Sequence, residues 1–317
     1  MKIQQVVEIA RMHYEQNLDQ EDIAIRLGVS RATISRALKE ARERGYIRTI
    51  VVPPPERAGF LESALRERFR LSFVAITPSR TDINEAIQLV AQVAAAYLDR
   101  NVPGRGILGV AGGRTVLSIA KQLRPGVRED LKIIPLMGGW VGQNAISASE
   151  VAREMAIRWN AQAKSLFAPA FVKDEIARQA LLREASISHA LEEGKRADIA
   201  CIGIAAVSLQ TRGTGEYVSG SGRIEEEDVR QLLVEGAAGE TCAQFFNEKG
   251  VPIESWNQAK TIAVPLENLC AMKDVLAVGA EPEKALAFLG ALKMGIIKSL
   301  IISEDLAAEL DRLDTAD

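Results

Sequence analysis

The sequence predicts an α/β protein built as a small all-α unit followed by a large unit with a mostly parallel sheet. Three observations predict it. The first fifty residues hold three short segments of helical periodicity. Pro53-Pro54-Pro55, a stiff tract that cannot continue a helix or a central strand, follows them. Beyond the prolines, short β-branched runs alternate with helical stretches, the pattern of βαβ units. A length of 317 residues is a soft prior of two domains. We place the domains at 1–52 and 60–317, with a linker at 53–59.

Composition narrows the class. Apolar residues make up 47% and charged residues 26%, so the chain can bury a core without disulfide staples. It has no apolar run long enough to span a membrane, and its start lacks a signal-peptide core. Cys201, Cys242 and Cys270 are far apart with no CxxC pair, which argues for a reducing compartment and against a zinc framework. The expectation is a cytoplasmic protein that does not engage membranes. Net charge is −3, but it is unevenly distributed. Residues 1–50 hold nine basic and seven acidic side chains, whereas the remainder is net −5. Arg31, Arg36, Lys39, Arg42, Arg44 and Arg48 fall on one short segment with only Glu40 and Glu43 among them. A basic stripe in an acidic protein suggests nucleic acid.

The first helix is predicted over about 3–16, from Val6, Val7, Ile9, Ala10 and Tyr14. Asp19 can cap a second helix whose inner face is Ile23, Ala24 and Leu27, and Gly28 ends it in a left-handed turn. Ser30 caps a third helix running to about Gly45, with Ile34, Ala37, Leu38 and Ala41 inward. Ala24, Gly28, Val29 and Ile34 have the spacing of a helix-turn-helix. Arg31, Thr33, Ser35, Arg36 and Lys39 then face outward as DNA-binding candidates. Side chains at the start of such a helix reach base edges, while Arg36, Lys39 and Arg42 are better placed for phosphates. The alternative is a three-helix bundle with a merely solvated charged face.

A short β-branched run at 47–52 closes the first domain; in the large unit, strands are predicted at 73–77, 107–110, 133–137, 165–167, 199–204, 261–264, 275–278 and 300–303. An amphipathic helix around Leu61, Leu65 and Phe69 comes first. Further helices are predicted at 84–98, 115–123, 149–159, 174–193, 226–235, 283–293 and 304–313. In open α/β sheets ligands bind beyond the carboxyl ends of the strands, where loops meet helix N-termini. Ala111-Gly112-Gly113-Arg114-Thr115 opens a helix in this way, with glycines that let N–H groups close on an anion. Gly138-Gly139-Trp140-Val141-Gly142-Gln143 is a second glycine loop, and Gly236-Ala237-Ala238-Gly239-Glu240 a third. Lys284 falls in the first turn of a helix, a poor place for a cation unless an anion sits nearby. Each loop alone is weak, because strand-to-helix turns need glycine anyway. Together they point to a small anionic ligand.

Catalytic and cofactor motifs are lacking. There is no GxxxxGK[ST], no GxGxxG after the first strand, no Ser/His/Asp set at suggestive positions and no metal-ligand cluster, so no cofactor, metal or catalytic residue is assigned. His13 reads as helix packing and His189 as exposed surface. Trp140 can equally touch a ligand or pack as a lid.

The sequence resembles the SorC family of bacterial transcriptional regulators, also called the SorC/DeoR sugar-binding family. The resemblance covers nearly the whole chain through DQEDIAIRLGVSRATISRALKEARERGYI, LGVAGGRT, IIPLMGGWVG, SEVAREMA, LFAPAFV, ADIACIGIAAV, GAAGETCAQFFNEKG and VGAEPEKALAFLGALKMGIIKSLIISE. It implies a helix-turn-helix joined to a Rossmann-like domain resembling ribose-5-phosphate isomerase and glucosamine-6-phosphate deaminase. It also implies a homotetramer that binds operator DNA and responds to a phosphorylated sugar. The family's GxSWGRT loop matches Gly109 to Thr115, with Ala111 and Gly112 where Ser and Trp are usual. Gly112, Gly113, Arg114 and Thr115 are thereby implied as effector ligands. So are Gly138, Gly139 and Gln143 of the second loop, where Trp140 is uncommon. Glu240 matches the acidic position of the GDxxGxFFD block and is implied as an acceptor for sugar hydroxyls. Lys284 matches the cation that follows a glycine pair, with Ala280 replacing the second glycine. Ser149 stands where the family usually has Asn.

Three readings follow. The first is a DNA-binding regulator, of a carbohydrate catabolic operon, gated by a small phosphorylated sugar. The second is an isomerase- or deaminase-like enzyme with an appended DNA-binding domain, for which Glu240 is the one carboxylate clearly in a ligand loop. The third is a DNA-bound scaffold with no effector. The first is adopted.

Overall fold

The computed structural model describes residues 3–14, 16, 18–44, 46, 58–140, 146–209, 224 and 226–314. The β-branched run at 47–52, the prolines, Asn17, Gly45, Val141, Gly142 and Gln143 lie outside the described residues. The chain divides into two compact units, Met1–Pro53 and Pro54–Asp317.

The first unit is helical. Helices α1 (Ile3–Tyr14), α2 (Gln20–Leu27) and α3 (Arg31–Glu43) enclose Val6, Ile9, Ala10, Ile23, Ala24, Ile34, Ala37, Leu38 and Ala41. Leu27, expected on the inner face of α2, is exposed. His13 stays within this unit's own packing, its Nδ1 lying 2.8 Å from the Leu18 carbonyl.

In the second unit, α4 (Ala58–Arg68) precedes β1 (Phe73–Thr77), and α5 (Ile83–Asn101) leads to β2 (Arg105–Val110). Then come α6 (Arg114–Gln122), β3 (Asp130–Pro135), α7 (Ala148–Trp159), β4 (Gln162–Ala163), α8 (Glu175–Arg183), α9 (Ala185–Gly194) and β5 (Ile199–Gly203). After β6 (Ala205–Ala206) and α10 (Glu226–Val234), β7 (Ala237–Thr241) and β8 (Gln244–Asn247) form a hairpin. Helices α11 (Glu254–Lys260) and α12 (Leu266–Ala271) precede β9 (Asp274–Gly279). A 3-10 turn (Pro282–Lys284), α13 (Ala285–Met294), β10 (Ser299–Ser303) and α14 (Glu304–Asp314) complete the described chain.

Seven strands form one parallel sheet in the order β1-β10-β9-β5-β2-β3-β4, and β6-β7-β8 form a small antiparallel one. Alternate strand residues serve two cores, as a sheet covered on both faces requires. Ile199 and Cys201 of β5 face Val90, Ala94, Leu98, Val116 and Met155 from α5, α6 and α7. Ala200 and Ile202 face the opposite core, with Leu65, Leu191, Phe288 and Leu306. Strands β2, β3 and β4 build outward in one direction, and the chain then returns to place β5 on the other side of β2. That reversal is where an open α/β sheet forms a binding crevice.

Several elements differ from expectation. Residues 165–167 are not a strand: the two-residue β4 forms the edge instead, and Phe167 is 84% exposed. Residues 261–264 make isolated bridges, Thr261 with Phe171 and Ala263 with Met137, rather than a ladder. The helix predicted over 174–193 breaks at Glu184, whose extended backbone ends α8 and starts α9. Tertiary packing divides it, because α9 buries Ile187, Ala190 and Leu191 whereas α8 buries no residue. The third glycine loop is largely strand β7. Gly239 is required there because a Cβ would run into the ring of Phe246 and the Ala287 side chain. Leu61 and Leu65 of α4 are buried within their own unit, while Phe60 is exposed.

Candidate functional site

Asp19 caps α2, its carboxylate accepting the N–H groups of Glu21 and Asp22 at 2.8 Å. Gly28 adopts φ 65°, ψ 34°, and Val29 N–H closes the turn on the Ala24 carbonyl at 3.0 Å. Ser30 Oγ accepts the Thr33 N–H at 3.2 Å and lies 2.9 Å from the Thr33 hydroxyl. Thr33 is therefore partly engaged in the cap. Arg31, Ser35, Arg36 and Lys39 are exposed, on the face of α3 opposite Ile34, Leu38 and Ala41. Lys39 makes only a 3.8 Å exposed pair with Glu43, so its charge stays available.

In the large unit the glycine loop lies between the end of β2 and α6. Gly113, with φ 120°, is the N-cap residue of α6 and supplies no side chain to its first N–H groups. Those N–H groups of Arg114, Thr115 and Val116 have no intrahelical acceptor. Gly112 allows the loop to press on the start of α7, since a Cβ there would run into the Ile146 carbonyl. The N-termini of α6 and α7 are thus brought side by side at the carboxyl edge of the sheet, α7 being capped by Ser147. Ser149 Oγ accepts the Leu166 N–H at 3.2 Å.

The loop after β9 reaches the same place. Arg114 Nη2 lies 3.3 Å from Glu281 Oε1, and Lys284 Nζ lies 2.8 Å from the same oxygen. Glu281 is 1% exposed at its side chain, Lys284 13% and Arg114 36%. Burial alone would raise the Glu281 carboxyl, but the charge and hydrogen bond of Lys284 outweigh it and hold the group below its ordinary range. Lys284 closes the 3-10 turn rather than standing in the first turn of α13. Sequence reading singled out Arg114 and Lys284 and missed Glu281 between them. Its only signal was an acid three residues before Lys284 in a strand-to-helix loop.

Glu240 stands on β7 opposite Ala205 of β6, directly beyond the end of β5. It is buried, and one of its carboxylate oxygens accepts the Ala243 N–H. That bond spans a hairpin turn in which Cys242 and Ala243 both take positive φ, 49° and 61°. Non-glycine residues rarely adopt this conformation, so the turn is held by its surroundings. Burial pushes the Glu240 carboxyl up to about 7, against the Ala243 N–H and the Lys284 charge, which lower it. The 3-10 turn carrying Lys284 packs on β6, so Arg114, Lys284, Glu281 and Glu240 gather beyond β2, β5 and β9.

The second glycine loop has a different character. Gly138 N–H donates to the Ile262 carbonyl at 2.9 Å and Gly139 N–H to the Ala168 carbonyl at 2.8 Å. Gly138 must be glycine because a Cβ would run into the Pro169 carbonyl. Trp140 packs edge-on against Phe171 at 5.0 Å, in an aromatic cluster with Phe245 and Trp256. Gln143 lies outside the described residues. Among the described residues no cluster of His, Cys, Asp and Glu could hold a metal ion, and no helix is long and apolar enough to cross a membrane.

A family model described as "Putative sugar-binding domain" matches residues 54–310, and one for a Crp-like helix-turn-helix domain matches residues 5–57. The chain belongs to the sugar-binding domain family of SorC-type transcriptional regulators. This SorC-type chain is 27% identical over 312 residues to the deoxyribonucleoside regulator of Bacillus subtilis, covering 98% of the chain and 97% of that relative. It is 27% identical over 311 residues to the sorbitol operon regulator of Klebsiella pneumoniae, covering 96% of each. Its fold matches the crystal structure of full-length SorC from Klebsiella pneumoniae with a TM-score of 0.80 at 24% identity, over 98% of this chain and 99% of that one. A DeoR family transcriptional regulator from Listeria monocytogenes matches with a TM-score of 0.72 at 27% identity, over 80% of this chain and all of that one. The SorC-type chain is thus a DNA-binding transcriptional regulator with a helix-turn-helix and a sugar-binding domain.

Proposed function

We propose that a small phosphorylated sugar controls operator binding by this regulator, through a site at the carboxyl ends of β2, β5 and β9. The observation that carries the reading is the meeting of Arg114 and Lys284 beside the open N-terminus of α6. Gly112, Gly113 and Thr115 present N–H groups and a hydroxyl to the phosphate, and a helix start favours negative charge there. Lys284 contributes a point charge and Glu240 accepts sugar hydroxyls. The N–H groups of Gly138 and Gly139 are bonded to backbone, so these two glycines shape the wall; Gln143, outside the described residues, is kept as an effector ligand on the family resemblance alone.

On the DNA side, Arg31, Thr33 and Ser35 are assigned to base edges and Arg36 and Lys39 to phosphates. The domains are taken as 1–52 and 60–317 joined by 53–59. A single helix-turn-helix makes few contacts, so the protein acts as a homo-oligomer, a tetramer by family resemblance, in the cytoplasm. Exposed Phe60 on α4 is a candidate contact between copies.

The test is a mobility-shift assay with upstream DNA, repeated across a panel of sugar phosphates. Lys284→Ala should leave binding to DNA alone intact and weaken the active sugar phosphate about ten- to hundred-fold, the loss of one charge-assisted bond. An undiminished response removes Lys284 from the site. A second reading, sugar-phosphate isomerisation, draws on Glu240, a buried carboxyl titrating near 7 as a general base would. Turnover of pentose or hexose phosphates by the purified protein would favour it.

A further inference from the structure

The geometry points to Glu281 as the residue that sets the charge of the ligand this site accepts. By cancelling one of two cations it limits the site to an effector with a single phosphate group and disfavours a bisphosphate. This inference rests on the proposed effector site.

Glu281 is the most buried charged group of the cluster, and its Oε1 is shared by Lys284 at 2.8 Å and Arg114 at 3.3 Å. Its other oxygen lies 3.3 Å from the Ala280 N–H. The carboxylate is therefore anchored to its own backbone and built in as a counter-anion, rather than swinging from the surface. Arg114 and Lys284 supply two positive charges and Glu281 removes one, leaving a net of one among these three groups. Glu240, within electrostatic reach of Lys284, can only lower that further. A ligand bringing one phosphate meets a partly compensated field. A ligand bringing two meets the Glu281 charge with no further cation among the described residues of the cluster, and like charges at this depth repel strongly. The same carboxylate keeps two neighbouring cations from repelling each other, which explains why a site built for anions contains an anion of its own.

The experiment uses full-length protein and two probes, inorganic phosphate and pyrophosphate, titrated calorimetrically at pH 8 and low salt. The wild type should bind phosphate, with pyrophosphate gaining little from its extra charge. Glu281→Gln, nearly isosteric, should raise pyrophosphate affinity about tenfold more than phosphate affinity. Glu281→Asp, which keeps the charge, should retain the wild-type ratio. Glu281→Ala gives the same reading as Gln should the amide disturb folding, which circular dichroism checks. If Gln and Asp change both probes alike, Glu281 is a tether for the two cations and the inference fails, while the effector site stands. If the wild type binds neither anion, or binds them as well after Arg114→Ala with Lys284→Ala, the site is not an anion site and both readings fall.

Discussion

Replacing Glu240 by Gln should make the large unit less sensitive to pH, and the size of the change follows from where the carboxyl sits. Glu240 is buried, and burial moves it from an ordinary 4.5 up to about 7. The folded protein then holds its proton more tightly than the unfolded chain between those values. Stability from this group is fully present below about 4.5, falls as pH rises through about 7, and is level beyond. Such a displacement corresponds to roughly 3 kcal/mol across the window. Gln keeps an oxygen for the Ala243 N–H and carries no titrating proton, so the turn with positive φ at Cys242 and Ala243 is preserved. Urea unfolding at pH 5, 6, 7 and 8 reads the effect. Trp140, Trp159 and Trp256 all belong to the large unit, so their fluorescence reports on that unit alone. The variant's stability relative to wild type should climb between pH 5 and 7 and then flatten. Parallel curves for the two proteins would refute the reasoning, because they would mean that Glu240 ionises in the folded state as easily as in water.

Three further outcomes are expected. Arg31→Ala or Arg36→Ala should weaken operator binding, with Arg31 relaxing sequence discrimination by about 1–3 kcal/mol and Arg36 chiefly reducing the salt slope, as fluorescence anisotropy on matched and mismatched DNA would measure. Ser30→Ala should destabilise the N-terminal unit by about 1 kcal/mol, since Thr33 N–H loses its acceptor, readable as earlier hydrogen exchange in α3. Gly138→Ala should destabilise the large unit by more than Gly59→Ala does, because a Cβ at 138 meets the Pro169 carbonyl whereas one at 59 meets open space; paired thermal melts compare them.

Much of the architecture was legible in the chain because it depends on local chemistry. Asp19, Gly28 and Ser30 announce the helix-turn-helix, and the structure places each at the cap or turn that its side chain, or lack of one, favours. The β-branched runs became β1, β2, β5, β9 and β10, since a parallel sheet covered on both faces needs apolar strands. Elements whose identity depends on distant partners were not legible. β4 lies outside the run expected at 165–167, and the Gly236–Glu240 segment reads as a loop until Phe246 and Ala287 demand a glycine inside a strand. The break at Glu184 carries no sequence signal, because it arises from what α9 buries and α8 does not.

The sequence by itself determined the two-part organisation, the basic outward face of α3, and the identities of Arg114, Glu240 and Lys284 as candidates. The first two follow from periodicity, capping and residue chemistry, and Lys284 from its place beside a helix start, each readable within a few positions, whereas Arg114 and Glu240 were marked by the resemblance to the SorC family. Only the tertiary structure decided that residues 114 and 284 meet, because β2 and β9 lie two strands apart with β5 between them. It alone placed Glu281 between the two cations and buried Glu240 deeply enough to raise its carboxyl. Charge balance and desolvation depend on what surrounds a group in three dimensions, and the sheet order that sets those surroundings is fixed by packing across the whole unit.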